Sequence, residues 1–224
     1  MSVATLVVSL AGVAAGVGTS ATAGAVRASH AVPRLASAGF AQPKTYNPSS
    51  SMRPSAAFMD YCFEPGHTTQ CNIAALADID AARHAEGLRD IYLPRSFWSF
   101  DQRRQLRVIA DHERNVRGLP SLALSSALNA DAQAGATAGQ DPTGPSQYSW
   151  GSNISWGYLT PLAADFGWMY DDGPNSPNIG CPRAGAPGCW GHRDNILAPW
   201  AGSQGSGEYD NNGTPQLTQL FVES

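Results

Sequence analysis

Gly188-Cys189-Trp190-Gly191-His192-Arg193-Asp194-Asn195-Ile196-Leu197 is the stretch on which the reading of this chain turns. It gathers a thiol, an indole, an imidazole, a guanidinium and a carboxylate, then becomes apolar. His192 is the one group in it that changes charge near neutral pH. His192 to Leu197 has room for a short helix, stopped by Pro199. Just upstream, residues 174–188 are rich in Pro, Gly and Asn and read as a loop carrying Cys181, one residue short of Cys189.

Further upstream the punctuation favours helices. Thr160-Pro161 predicts a helix start, with Thr as cap and Pro in the first turn, and Gly173 ends that helix. Ser125 or Ser126 caps an Ala-rich run to Ala138. Ser99 and Gln102 form a capping-box pattern ahead of a helix from Asp101 to Arg117, stopped by Gly118 and Pro120. Ile73 to Leu88 has helical periodicity, with Gly87 at its end. Gly151 to Ser155 reads as a segment crossing the core. Downstream, Asn212-Gly213 predicts a two-residue hairpin turn between strands near Gly207–Asp210 and Gln216–Val222.

At 224 residues the chain can bury one good core plus an ordered extension. A net charge of −4 and a single lysine, Lys44, give no basis for a nucleic-acid partner. Charge is uneven: residues 83–117 hold eight Arg against five acids, and residues 118–224 hold two Arg against nine. Either the two regions dock on each other, or the arginines form a solvated helix face.

Met1 to Val26 has no charge, and Ala21-Thr22-Ala23 or Ala23-Gly24-Ala25 suits cleavage. Residues 1–25 therefore read as a signal peptide, with an uncleaved membrane anchor as the alternative. Residues 26–57, rich in Ala, Ser and Pro, read as a flexible leader, with order beginning near Phe58. The four cysteines fit export. Three pairings exist; the local one, Cys62–Cys71 and Cys181–Cys189, closes the shortest loops and is the expectation, at about 2–3 kcal/mol per bridge. Neither pair has the spacing of a structural zinc site.

Glu113-Arg114-x-x-Arg117-Gly118-Leu119-Pro120, Gly151-Ser152-Asn153-Ile154, the Trp168 helix and Gly191-His192-Arg193-Asp194-Asn195-Ile196-Leu197 together resemble the CAP superfamily (cysteine-rich secretory, antigen 5 and pathogenesis-related proteins). The resemblance is to its bacterial, SCP-like extracellular branch. Trp168-Met169-Tyr170-Asp171-Asp172-Gly173 and Cys189-Trp190 resemble an actinobacterial-type subgroup. The resemblance covers residues 104–224, with residues 58–103 as a helical extension. It implies an α+β fold, an α-β-α sandwich with that helical extension at its N-terminal side.

The family also has a cleft of two histidines and two glutamates that binds a divalent metal in some members. His192 matches the second histidine. Ser152 stands where one glutamate is expected, and Asp171, with Asp172 beside it, where the other is. No histidine lies near Gln140–Asp141, the place of the first. The expectation is therefore no cofactor, with a divalent metal on His192 and Asp171, helped by Asp172 or Asp141, as the minor alternative.

Two functions are weighed. In the first, a secreted, monomeric binding module holds an apolar small molecule or a cell-wall glycan. Trp190, Trp168 and Asn153 are its candidate ligand contacts, with Trp190 the better surface residue. In the second, a hydrolase uses His192 as general base, Asp171 or Asp172 to orient it, and Ser152 as nucleophile or a metal instead. The absence of Gly-x-Ser-x-Gly around Ser152 weighs against the second. His84 and His112 read as solvated helix residues. Asn153-Ile154-Ser155 and Asn212-Gly213-Thr214 match the glycosylation pattern, a weak signal.

Overall fold

The structure, a computed structural model, describes residues 47–176 and 181–223. The expected signal peptide or anchor, the leader up to residue 46 and positions 177–180 of the cysteine loop lie outside the described residues. No helix among the described residues is long and apolar enough to cross a membrane.

Four strands make one sheet in the order β1-β3-β4-β2: β1 (Ala123–Leu124), β2 (Trp150–Trp156), β3 (Ala201–Asn211) and β4 (Thr214–Glu223). The β3–β4 hairpin turns at Asn212 and Gly213, both with positive φ, as the Asn-Gly pair requires. β2 pairs antiparallel with β4, and β1 is a two-residue parallel strand on β3.

Helices cover both faces of this sheet. On one side α4 (Ser126–Ala138) lies on β3 and β4, with Leu128, Ala132, Leu220 and Val222 packed together. On the other side, α3 (Gln102–Val116) and α5 (Pro161–Met169) meet Leu217 and Phe221 in the larger core. The short α6 (Gly191–Ile196) leans on β2. The arrangement is the expected α-β-α sandwich.

All nine residues of α5 are buried. An apolar helix with no polar face needs cover on every side. The sheet side is one cover; α2 (Thr68–Ala85), tied to α1 (Ala56–Tyr61) by the Cys62–Cys71 bridge, is the other. The second bridge is Cys181–Cys189, so the local pairing is the one observed.

Several expected boundaries move. α2 starts at Thr68, five residues before Ile73, and Gly87 follows its end with φ +76°. Asp101, not Ser99, caps α3: its carboxylate accepts from Arg104 N at 2.8 Å, while Ser99 Oγ donates to Ser96 O. Ser125 caps α4 and Thr160 caps α5, as their positions predict. β3 begins at Ala201, well before Gly207. Order also begins before Phe58: Ser51 N donates to Pro174 O, Met52 N to Tyr170 O and Ser55 N to Asp78 Oδ2.

Candidate functional site

The site forms where the chain turns after α5 and returns as α6. Asp172 is fully buried in that turn, and its Oδ1 lies 2.6 Å from His192 Nδ1. Its Oδ2 accepts from the backbone N–H of His192 at 2.8 Å and of Arg193 at 3.4 Å. One carboxylate thus caps α6, whose N-cap residue Trp190 provides no side-chain cap. An ionised carboxylate only accepts, so Nδ1 carries a ring hydrogen, and in the neutral imidazole Nε2 is then the acceptor. Burial pushes the Asp172 carboxyl up, and its bonds to His192 pull it back. The His192 side chain is 23% exposed, so the pair is oriented from below and open above. The Trp168 ring lies 6.4 Å from the imidazole.

The rest of the signature is a plug. Asn195 Nδ2 donates to Ser152 O at 2.8 Å and to Asn153 Oδ1 at 3.0 Å, and Asn153 Nδ2 donates to His192 O. A Cβ at position 151 would lie 2.2 Å from Asn195 Oδ1, so Gly151 makes room for this contact. Arg114, from α3, donates to Ile196 O and Ala198 O at the other end of α6. There a guanidinium also suits the helix dipole.

Arg193 enters a buried ionic cluster. It reaches Glu86 and donates to Met169 O at 2.6 Å. Glu86 also pairs with Arg117 at 2.7 Å. Arg117 and Arg83 both hold Glu113, to which Tyr170 donates its hydroxyl at 2.9 Å. Burial pushes Glu113 up, but Arg117 and Arg83 outweigh it and hold the carboxylate below its usual range. Asp165 is buried beside them. Burial, reinforced by Glu113, raises it well above the usual carboxylate value. The reading of residues 83–117 as a solvated face is therefore corrected for Arg83, Arg114 and Arg117, all of which are buried. The docking between the two regions does occur, but through Arg193 of the acidic half meeting Glu86 of the basic half.

The candidate residues separate. His192 and Asp172 come together. Ser152 does not join them: it faces Leu220 across the β2–β4 ladder, and Leu220 packs on α4. Gly151 and Asn153 alternate to the other face, where α6 sits. Ser152 thus alternates to the opposite face of the edge strand β2 from α6, which carries His192. Trp190 is 4% exposed, not a surface residue; its ring packs where a Cβ on Gly173 would fall. Trp168 is also buried, donating to Ile154 O. Asn153 is buried within β2, which removes it as a glycan acceptor. His112 is half-buried, with burial lowering its pKa; His84 is exposed and pairs with Asp90. Among the described residues no group of three or more His, Cys, Asp or Glu could hold a metal ion.

Sequence reasoning missed the ionic cluster. Its one signal was the i,i+4 spacing of Glu113 and Arg117.

Asp171 is buried next to Asp172 in the same turn. Burial raises its carboxyl to about 6; Ser176 lowers it, Asp172 raises it and Arg53 lowers it. A folded-state pKa above the unfolded one favours the neutral form. The fold is therefore unpenalised below about pH 4 and loses stability as pH rises through about 6. Asp171→Asn is expected to be more stable than the parent by about 1–2 kcal/mol near pH ~8, after allowing for solvent screening. The gain should vanish near pH ~4 in urea unfolding at the two pH values.

No family model and no curated protein matches the chain. Among solved structures, it is similar to a cysteine-rich secretory protein from Staphylococcus aureus, with 17% identity, a TM-score of 0.39, and 55% of this chain and 39% of that one covered. It is similar to an extracellular protein containing an SCP domain from Bacillus anthracis, at 19% identity and a TM-score of 0.41, covering 55% and 40%. A venom allergen-like protein 4 from Schistosoma mansoni gives 15% identity and a TM-score of 0.40, covering 55% and 89%. The match spans about two fifths of the length of the two bacterial structures.

Proposed function

We propose that this chain is a secreted CAP-type domain, residues 104–224, with residues 58–103 as a helical extension built against it, and that it works as a monomeric binding module. Its polar contact is His192 Nε2, held outward by Asp172, and its ligand is an apolar small molecule or a cell-wall glycan. The observation that carries this reading is Asp172's hold on His192 Nδ1, with Ser152 alternating to the opposite face of β2 from α6. A fixed imidazole with an open acceptor nitrogen binds a ligand's hydroxyl or amide hydrogen without any nucleophile. The sequence signature at Gly191–Leu197 and the three-layer fold support the family part of the reading.

One observation favours the hydrolase instead. The 2.6 Å contact between Asp172 and His192 is the orientation a general base needs. Bound water would then be the nucleophile.

The test is binding of purified cell-wall glycan and of a set of apolar ligands, followed by tryptophan fluorescence. His192→Ala is expected to weaken binding roughly tenfold, the worth of one hydrogen bond, with the folded circular dichroism spectrum retained. Steady turnover of peptide or peptidoglycan that disappears in His192→Ala would replace the binding module with the hydrolase.

A further inference from the structure

The turn that carries Asp172 is gripped from two sides. On the inner side Trp190 N donates to Asp172 O at 2.6 Å, and the Trp190 ring fills the space over Gly173. On the outer side lies a segment that comes from the far end of the chain. Met52 N donates to Tyr170 O at 2.8 Å, and Ser51 N donates to Pro174 O at 3.0 Å. Gly173 N donates to Ser51 Oγ at 2.7 Å. Asn47 Nδ2 donates to Asp194 Oδ1 at 3.0 Å, on the helix that bears His192. Arg53 lies close enough to Asp171 to lower its pKa.

These contacts divide the turn. Residues 170, 173 and 174 bond outward to residues 51 and 52, while Asp172 bonds to Trp190, His192 and Arg193. Asp172 belongs to no helix or strand, so the ladder of a regular element does not fix its backbone. Its carboxylate meets His192 only if the peptides on either side are held. Residues 51 and 52 hold both sides, alongside Ser176, which donates to Asp171 O and Gly173 O, and Asn47 ties the second partner, α6, to the same segment.

We propose that residues 47–53 are a positioning strap for the Asp172–His192 pair, with Ser51 as its central residue. Its hydroxyl and its N–H together fix Gly173 and Pro174, and through them the direction of the Asp172 carboxylate. The orientation of the imidazole therefore depends on a segment 122 residues before the turn it grips. This rests on the Asp172–His192 pair being the working part of the proposed site, but not on what that site binds.

The test is hydrogen exchange in the full chain by NMR, reading the Gly173 amide and the His192 Nδ1–H. Ser51→Ala is expected to speed both by roughly tenfold, the effect of one lost hydrogen bond, with β3–β4 amides unchanged. Ser51→Thr, which keeps the hydroxyl, should restore both. Ser51 is half-exposed, and circular dichroism of each variant checks that the fold is kept. A His192 Nδ1–H whose exchange is unchanged in Ser51→Ala overturns the strap, even if the Gly173 amide opens. Acceleration throughout the sheet overturns it too, since the effect would then be global. A failed ligand screen leaves this readout intact, so the two proposals fail separately.

Discussion

Glu113→Gln is expected to lower the unfolding free energy by about 3–5 kcal/mol, the cost of breaking a buried ionic group by removing one partner. Glu113 is fully buried and touches both Arg83 and Arg117, whose side chains are 4% and 1% exposed. Without its charge, Arg83 keeps only the Arg89 carbonyl in a low-dielectric interior, and Arg117 shares Glu86 with Arg193. The amide also puts N–H groups where the arginines need an acceptor. Urea unfolding at neutral pH measures the loss. A change below about 1 kcal/mol would mean the cluster is solvated and not a buried device.

The same cluster predicts a coupling. Burial and the Glu113 carboxylate push the Asp165 carboxyl up. Once Glu113 is neutral, Asp165 is the carboxyl placed to ionise in its stead and soften the loss. Glu113→Gln with Asp165→Asn should therefore lose about 1 kcal/mol more than the two single changes added together.

Gly205→Ala is expected to cost about 3 kcal/mol or more, at the upper end for overpacking. A Cβ there would lie 2.2 Å from Leu128 C and 2.3 Å from Leu128 O. Those are backbone atoms of α4, so no rotamer change relieves the clash. The helix must lift from β3, and the Leu128, Ala132, Leu220 and Val222 cluster opens with it. Gly191→Ala is the control: a Cβ there meets nothing within 4 Å, and its thermal unfolding should match the parent's. Equal melting temperatures for Gly205→Ala and the parent would show that α4 does not rest on the strand at this point.

These two predictions mark where the sequence was legible and where it was not. Helix ends were readable because capping is local: Thr160, Ser125 and Gly87 each act within one turn of their own position. The hairpin was readable for the same reason at Asn212-Gly213. The first half of β3 was not. Gly202-Ser203-Gln204-Gly205-Ser206-Gly207 has no apolar alternation, and Gly205 and Gly207 serve contact with α4 instead of filling a core with side chains.

In the site, His192 and Asp172 were visible as chemical types, and the structure pairs them. Ser152 had the right type too, and only the pleat of β2 shows it on the wrong face. Arginines in a helical segment read as solvated, because a guanidinium is buried only when partners from other elements converge on it. Here Glu86, Glu113 and Tyr170 come from α2's end, α3 and α5's end, a meeting no local pattern records. Trp190 was misread for a similar reason. Its cover is Gly173, a residue earlier in the chain across the cysteine loop.

The bonds from Asn195 and Trp168 to the carbonyls of Ser152 and Ile154 have a bearing on how copies of this chain meet one another. β2 is the last strand of the sheet, and those two carbonyls point away from β4. An edge of that kind ordinarily templates a further strand, from a neighbour or from a growing aggregate. Here the acceptors are already occupied by side chains of the same molecule. The signature helix and α5 thus act together as a terminator, taking two acceptors of this edge out of reach of a further strand.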